Sequence, residues 1–409
     1  IYLFADVTGY AYDMLNALGI VVLVLLLENP FLLSYSGFVF SVMAVIAIGV
    51  GANVLLEWEH SWKRRQQAGE ETIKKTFFSR QKEGILVSFA IQLFTIPLVA
   101  YSYYEIPVYA MLINLFVLVV VNGLLGLTVL GVIVGMAFLP AGRVLFAPCG
   151  WMLDSYRFLC EVSLKIPGAQ RITGKPAHMR IFWYYLGLGV FLLAIYACAR
   201  RNEKHKDCRE TADLCVSRRK KRLQGIVFSC FIAFLLLFLL FPQKKSFEID
   251  FLDVGQGDGI YLCTGGGTSM FIDGGSTDVK QVGKYRILPF LKAKGVSEIS
   301  YWFVSHTDTD HVSGLKEVLV SGYRVEYLVF AKAVEKEAKT KELAELARSH
   351  GTKVFYMQAG DTVRSKRAAM RCLYPKASDK AEDVNDLCLV LQFEEGDISA
   401  LFGGDISTD

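Results

Sequence analysis

A short polar run at residues 306–311, His-Thr-Asp-Thr-Asp-His, contains side chains that could bind a metal ion. His306, Asp308, Asp310 and His311 place two imidazoles and two carboxylates within six residues. These groups are the ligands of Zn²⁺ and Mn²⁺ in proteins. The alternative is a solvated turn in which an aspartate caps the following helix, but that interpretation leaves both histidines unexplained. The run therefore predicts a site for a divalent metal.

Other polar residues lie at turns beside apolar segments, and each is a weaker candidate by itself. Asp405 follows the segment ALFGG and is a second ligand candidate, although a lone aspartate at a strand end is usually a turn former. Asp273 has the same alternative, since glycines follow it. Residues of the DVGQGD turn crowd a glycine-rich stretch in which close backbone packing could be the reason for the glycines. The remaining lower-ranked candidates, in that turn and before the penultimate strand, are Asp253, Gln256, Asp258, Asn385 and Asp386.

The elements that must position these residues are short and apolar. Strand-like segments occur at 247–255, 259–264, 269–275 and 299–306, and two more within 386–405. A glycine turn between the second and third predicts a hairpin. Helical patterns cover 279–294 and 335–350. Strands with intervening helices predict an α/β sandwich over residues 243–409, with the metal-ligand run at the end of a buried strand.

Residues 1–242 have a different composition, which predicts a membrane domain. The chain is 53% hydrophobic and 21% charged, which argues against a simple soluble protein. Residues 1–242 contain 23 Lys and Arg against 15 Asp and Glu, whereas residues 243–409 contain 21 against 25. The overall charge of +4 thus gives no evidence for nucleic acid. Six or seven membrane spans are expected, and 144–166, which is interrupted by charges, is expected to be an interfacial helix. The span candidates are 15–27, 29–56, 84–104, 106–142, 181–199 and 223–243.

Two basic loops predict the orientation of these spans. Residues 57–83 contain seven Lys and Arg, and residues 200–222 contain ten. Because short basic loops remain in the cytoplasm, both loops are expected inside. The segment 223–241 then leads outward, which places residues 243–409 outside the cytoplasmic membrane.

Several motifs together resemble the ComEC family of bacterial competence proteins. The motifs are FLDVGQGDGIYL, FIDGGS, FVSHTDTDHVSGL, NDLCLVL and LFGGD, joined to LLLENPFLLSYSGFVFSVMAVIAI and LFTIPLVAYSYYEIPVYAMLINLFVL in the membrane half. The resemblance implies a multi-pass α-helical domain followed by a four-layer αββα, metallo-β-lactamase-like domain with two metal ions. It also implies DNA, the lipid bilayer and other competence proteins as partners.

The implied ligands are assigned residue by residue. His306, Asp310 and His311 match three positions of the superfamily's H-x-H-x-D-H motif, and Asp405 matches its bridging acidic ligand. Asp308 stands where the motif has a second histidine, and a carboxylate there favours Mn²⁺ or Mg²⁺ over Zn²⁺. Asn385 or Asp386 stands where another histidine is common. The chain stops at Asp409, so the α/β domain is expected to be incomplete at its C-terminal end.

Three functions remain open from the sequence. The first is a DNA-uptake protein whose outer domain uses His306, Asp308, Asp310, His311 and Asp405 to degrade the strand that is not imported. The second is a DNA conduit whose metallo-β-lactamase-like domain has lost catalysis, for which the replacement of histidine by Asp308 argues. The third is a membrane-anchored hydrolase of another class, against which the large polytopic half argues.

Overall fold

The chain forms two compact units, Ile1–Phe241 and Pro242–Asp409. The structure is a computed structural model and describes residues 7, 11–66, 77–204, 213–242, 245–379 and 385–406. Parts of both basic loops, 67–76 and 205–212, therefore lie outside the described residues, as does the side chain of Asn385.

The first unit is helical. Its described helices are α1 (Met14–Glu28), α2 (Ser36–Ile46), α3 (Asn53–Gln66), α4 (Phe77–Tyr103), α5 (Ala110–Ala137), α6 (Leu139–Leu164), α7 (His178–Lys204) and α8 (Asp213–Leu239). A π-helical turn, Ala47–Ala52, joins α2 to α3. Two short strands, β1 (Glu105–Pro107) and β2 (Gln170–Ile172), pair antiparallel.

Four helical segments within the described part of the chain are long and apolar enough to cross a membrane: Ser36–Ser61, Lys82–Tyr103, His178–Arg201 and Arg219–Leu239. Met14–Glu28 and Gly123–Ala137 are apolar but shorter. Six or seven spans are expected from the sequence. The number found among the described residues is four because the two shorter helices do not reach the roughly 20 apolar residues that a span needs. Residues 144–166, expected to be interfacial, lie mainly in α6, whose Tyr156 hydroxyl donates to the Val117 carbonyl of α5 at 2.9 Å.

A proline inside α4 is compensated by a tyrosine of α7. Pro97 has no N–H, so the Leu93 carbonyl one turn earlier loses its helical donor. The hydroxyl of Tyr184, which is fully buried, donates to that carbonyl at 2.9 Å. In a membrane interior, water is not available to satisfy such a group. The contact therefore explains how α4 tolerates Pro97.

Replacing Tyr184 by phenylalanine should destabilise the helical unit by about 1 kcal/mol, because the Leu93 carbonyl would lose its donor. Thermal unfolding in detergent measures this loss. In a Pro97→Ala background, the restored N–H of residue 97 should remove most of the cost. An equal cost in both backgrounds would contradict the pairing of Pro97 with Tyr184.

The second unit contains two sheets. Its described strands are β3 (Glu248–Phe251), β4 (Gly259–Cys263), β5 (Ser269–Asp273), β6 (Glu298–Phe303), β7 (Arg324–Ala331), β8 (Lys353–Met357), β9 (Thr362–Ser365), β10 (Ala368–Tyr374), β11 (Val390–Glu395) and β12 (Ile398–Phe402). Strands β3 to β8 form one sheet in chain order, antiparallel up to β5 and parallel from β5 to β8. Strands β9 to β12 form an antiparallel sheet.

Helices α9 (Leu288–Ala293), α10 (Thr309–Val320) and α11 (Ala338–Ser349) pack on one face of the six-stranded sheet. Trp302 is fully buried in that core. A second core, which includes Phe303 and Phe393, joins the two sheets. The described residues thus form a helix layer, a sheet and a second sheet, and the predicted helical membrane half followed by an α/β sandwich is confirmed. The predicted hairpin at 259–273 and the last two strands are present.

Candidate metal centre

The candidate site lies where the parallel strands β5 and β6 end. The two strands pair with Ile272 beside Phe303, so the residue after Ile272 and those after Phe303 leave the sheet at the same edge. The loop after β6 contains His306 and leads into α10, whose first turn contains Asp310 and His311. Because parallel strands place their carboxyl ends together, this edge is where polar side chains can converge.

His311 is held between two carboxylates. Its ring is buried, and its Nδ1 lies 3.1 Å from Asp273 Oδ2 while its Nε2 lies 3.3 Å from Asp405 Oδ2. Burial lowers the pKa of His311, but the hydrogen bond and charge of Asp273, together with the charges of Asp405 and Asp310, raise it to about 9. The carboxylates on either side of the ring therefore stabilise positive charge at this position.

Asp273 fixes this arrangement through its own backbone. Its φ of 59° lies in the left-handed region, which is uncommon for a residue other than glycine. The strain is offset by contacts: Oδ1 accepts from the Ser305 N–H at 2.7 Å, and the Asp273 carbonyl accepts from Trp302 Nε1 at 2.6 Å. We assign Asp273 as a positioning residue that orients His311, whereas the sequence offered it only as a turn former or a weak ligand candidate.

His306 lies beside His311, with the ring centroids 4.0 Å apart. Burial lowers the pKa of His306, and the neighbouring His311 lowers it further. A neutral imidazole is the form that binds metal. Its Nδ1 lies 3.1 Å from Ser305 Oγ and 3.4 Å from Cys388 Sγ, so both side chains help to orient the ring.

Within the described residues, two groups of side chains that could ligate a metal share His311. His306, Asp310 and His311 form one, and Asp258, His311 and Asp405 form the other. Within each group, the candidate ligand atoms all lie within 4.8 Å of one another. Imidazole nitrogens mixed with carboxylate oxygens suit Zn²⁺ or Mn²⁺. The chemistry of this donor set therefore fits a divalent metal.

The glycine-rich turn before β4 brings Asp258 to the site. A Cβ on Gly257, whose φ is 138°, would overlap the backbone carbonyls of Asp310 and Gly275. The turn therefore packs directly on the first turn of α10. Burial raises the pKa of the half-buried Asp258, and the nearby Asp273 raises it further. The close backbone packing of this turn places Asp258 near His311 and Asp405.

Asp308 is directed elsewhere. Its partly exposed carboxylate accepts from Lys339 Nζ of α11 at 2.8 Å, and the hydrogen bond to Lys339 holds the pKa of Asp308 below its ordinary value. It belongs to neither ligand group found within the described residues. The residue at the position of the motif's second histidine is therefore part of a surface ion pair in this structure.

Asp253 and Asp386 belong to neither ligand group among the described residues. The exposed Asp253 carboxylate lies 3.4 Å from Arg286 Nη1, and Gln256 contributes its backbone N–H to Asp278 Oδ2 at 3.3 Å. Asp386 is half-buried in a short 3₁₀ turn that begins at Asn385.

Sequence reasoning missed Ser305, Cys388 and Lys339. Ser305 directly precedes His306, and this proximity was an available signal for its role. The Ser305 carbonyl also accepts from the Leu389 N–H at 2.9 Å, which joins the loop after β6 to the segment before β11. Burial raises the pKa of the Cys388 thiol to about 12, so this side chain is a neutral neighbour of His306.

These features define a class of protein: a multi-pass helical membrane protein joined to an α/β domain with metal-ligating side chains at its strand ends. Comparison with known proteins is consistent with this class. Residues 1–197 match the family model described as Competence protein. ComE operon protein 3 of Bacillus subtilis is 23% identical over 427 residues, covering 100% of this chain and 49% of that protein. The resemblance predicted from the motifs is confirmed.

Other similarities are more local. Recombination protein 2 of Haemophilus influenzae is 31% identical over 106 residues, covering 25% of this chain and 13% of that protein. The chain thus spans half or less of the curated relatives it matches. Among solved structures, the metallo-β-lactamase fold protein YhfI of Bacillus subtilis matches at 12% identity and TM-score 0.27, over 36% of this chain and 54% of its own. CmlA, a diiron β-hydroxylase of Streptomyces venezuelae, matches at 16% identity and TM-score 0.27, over 44% of this chain and 34% of its own.

Proposed function

We propose that this protein takes part in the uptake of transforming DNA across the bacterial cytoplasmic membrane, and that its α/β domain hydrolyses phosphodiester bonds of the strand that is not imported. The observation that carries the proposal is the pair of ligand groups around His311, located in a domain that follows a competence-type membrane half. Other competence proteins are the expected partners.

The ligand groups support hydrolysis. We propose that two divalent ions are held among His306, Asp310, Asp258 and Asp405, and that His311 binds one of them through Nε2, because Asp273 holds its Nδ1. Such ions lower the pKa of water to about 7 and stabilise charge on the attacking and leaving oxygens. Asp273 keeps the His311 ring in place, while Ser305 and Cys388 do the same for His306. The carboxylate-rich donor set favours Mn²⁺.

DNA degradation in detergent tests the proposal. A duplex with a different fluorophore on each strand is incubated with the purified chain and Mn²⁺, and products are separated on a denaturing gel. We expect metal-dependent shortening of the labelled DNA, and no shortening with the His311→Ala variant. Intact strands at every Mn²⁺ concentration would contradict the proposal.

Asp308 favours a second candidate function, a DNA conduit whose α/β domain no longer catalyses hydrolysis. Its carboxylate pairs with Lys339 and does not join either ligand group among the described residues. A protein that binds the duplex without shortening either strand would support the conduit over the hydrolase.

The proposed role requires the α/β domain to lie outside the cytoplasm. The ten basic residues at 200–222 should keep that segment in the cytoplasm, so that the apolar part of α8 leads outward. Alkaline phosphatase fused after Gln243 should therefore be active, and the same enzyme fused after Asp207 should be inactive. A cytoplasm-only reporter gives the reverse pattern. Activity of that second reporter after Gln243 would contradict the topology.

A further inference from the structure

An aromatic cleft lies where the chain crosses from one sheet of the α/β domain to the other. Strand β8 is an edge of the six-stranded sheet and β9 is an edge of the four-stranded sheet. The cavity between them has a volume of about 340 Å³, and its lining includes Tyr301, Tyr327 and Phe355. We call this cavity the aromatic cleft. Its polar lining includes Asp361 and Arg364.

The rings of the aromatic cleft form a continuous surface. Tyr301 and Tyr327 stack with centroids 5.1 Å apart and planes 16° apart, and the ring of Phe355 lies 5.4 Å from that of Tyr327. Phe355 is 52% exposed although it lies in a strand. Lys353 Nζ lies 4.9 Å from the Tyr327 ring centroid, and Tyr301 also stacks on Phe303, so these two tyrosine rings are partly covered. Phe355 is therefore the ring of the cleft that offers apolar surface at the protein exterior.

A cationic groove adjoins the cleft. It has a volume of about 760 Å³, and Arg364, Lys366, Arg367 and Arg371 line it; we call these four residues the cationic groove. Thr362 and Arg364 line both cavities. The segment 362–371 contains these four cations and no acidic residue.

The charge of the groove is not neutralised by its neighbours. Across the part of the chain that the structure describes, none of these four cations is in an ion pair. The acidic residues lining the two cavities are Asp361 and Glu394, and each accepts a hydrogen bond from a neutral group, the Gln358 N–H and the Gln392 amide respectively. The groove therefore has an excess of positive charge facing solvent.

We propose that the aromatic cleft and the cationic groove together bind single-stranded nucleic acid, with bases on the rings and phosphates on the cations. Base stacking on aromatic side chains combined with a positive groove is the arrangement used by proteins that bind single strands. A duplex keeps its bases stacked on one another, so it cannot use the rings. This surface shares no residue with the ligand groups of the metal centre, and it deepens the proposed function, on which it rests.

Fluorescence anisotropy with a labelled oligothymidine of twelve nucleotides tests this surface, using the full chain in a nonionic detergent. EDTA is included so that binding is measured without cleavage. Phe355→Ala should weaken binding about tenfold, because stacking contributes about 1–3 kcal/mol per base. The same variant should bind an abasic strand of equal length as the wild type does. The matched control is Phe251→Ala, an exposed phenylalanine on β3 at the opposite edge of the sheet.

The cations are tested through salt dependence. Replacing both Arg364 and Arg367 by alanine should reduce the slope of log K against log salt concentration by about 1.4, since each phosphate contact contributes about 0.7 for single strands. The control replaces Lys316 and Arg348, which lie on the helices α10 and α11, and should leave the slope unchanged.

The proposal is overturned if the wild type does not bind the oligothymidine, or if the Phe355 and arginine variants bind as the controls do. Failure of the proposed hydrolysis would leave these measurements intact, because they contain no metal. Conversely, a wild type that cleaves DNA with Mn²⁺ but does not bind the oligothymidine in EDTA would overturn this surface and leave the proposed hydrolysis standing.

Discussion

Replacing His306 or His311 by alanine should remove bound metal from the purified protein. Each residue supplies an imidazole to a ligand group, and His311 belongs to both groups. Both rings are buried and pack against each other, so no other imidazole within the described residues can take their place. Because changes to the partners of metal ligands already cost 10–100-fold in affinity, loss of a ligand should cost roughly 100-fold or more. Elemental analysis after dialysis against Mn²⁺ measures the result.

Two controls make this result specific. His350→Ala removes an exposed histidine at the end of α11 and should leave metal content unchanged. Asp308→Ala should also leave it nearly unchanged, because that carboxylate pairs with Lys339, and a surface pair of this kind contributes only about 0–1 kcal/mol to stability. Unchanged metal in both His306→Ala and His311→Ala would show that the run at 306–311 is a turn and a helix cap.

Gly257→Ala should disrupt both the fold and the site. The new Cβ would overlap the backbone carbonyls of Asp310 and Gly275, and backbone cannot move aside as a flexible side chain can. The φ of 138° adds strain for any residue with a side chain. We expect a loss of about 3 kcal/mol or more in the free energy of unfolding, from overpacking and strain together. Hydrogen exchange of peptides from 245–379 measures it.

Gly322→Ala separates strain from overlap. Gly322 has a φ of 77°, but a Cβ there would have no atom within 4 Å. Its replacement should therefore cost only about 1 kcal/mol. Equal costs at positions 257 and 322 would show that the glycine-rich turn does not depend on its contact with α10.

The strand-end motifs could be predicted from the sequence because their chemistry is local. Four ligand-type side chains within 306–311 are visible without a structure, and the FIDGG and GGD turns identify Asp273 and Asp405 as residues at strand ends. The hairpin of β4 and β5 was equally visible, since apolar segments flank a glycine turn. These features depend on neighbours in the chain, so the sequence contains most of the information.

The partners of those side chains could not be predicted, because they are set by tertiary packing. Cys388 is 82 residues from His306, and Lys339 is 31 residues from Asp308. The role of Asp273 depends on the parallel register of β5 and β6, which joins segments that are distant in sequence. Strands β7 to β10 were not predicted at all. Neither were the aromatic cleft and the cationic groove, which β6 to β11 line together.

The central claim, a metal-dependent phosphodiesterase at the ends of β5 and β6, is tested most directly by hydrolysis of bis(p-nitrophenyl) phosphate as a function of Mn²⁺ concentration. This substrate needs no DNA-binding surface, so it reports on the metal centre alone. We predict hydrolysis by the wild type and by His350→Ala that rises and saturates with Mn²⁺, and none above background with His311→Ala. Equal rates for the wild type and His311→Ala, or no hydrolysis at any Mn²⁺ concentration, would contradict the account.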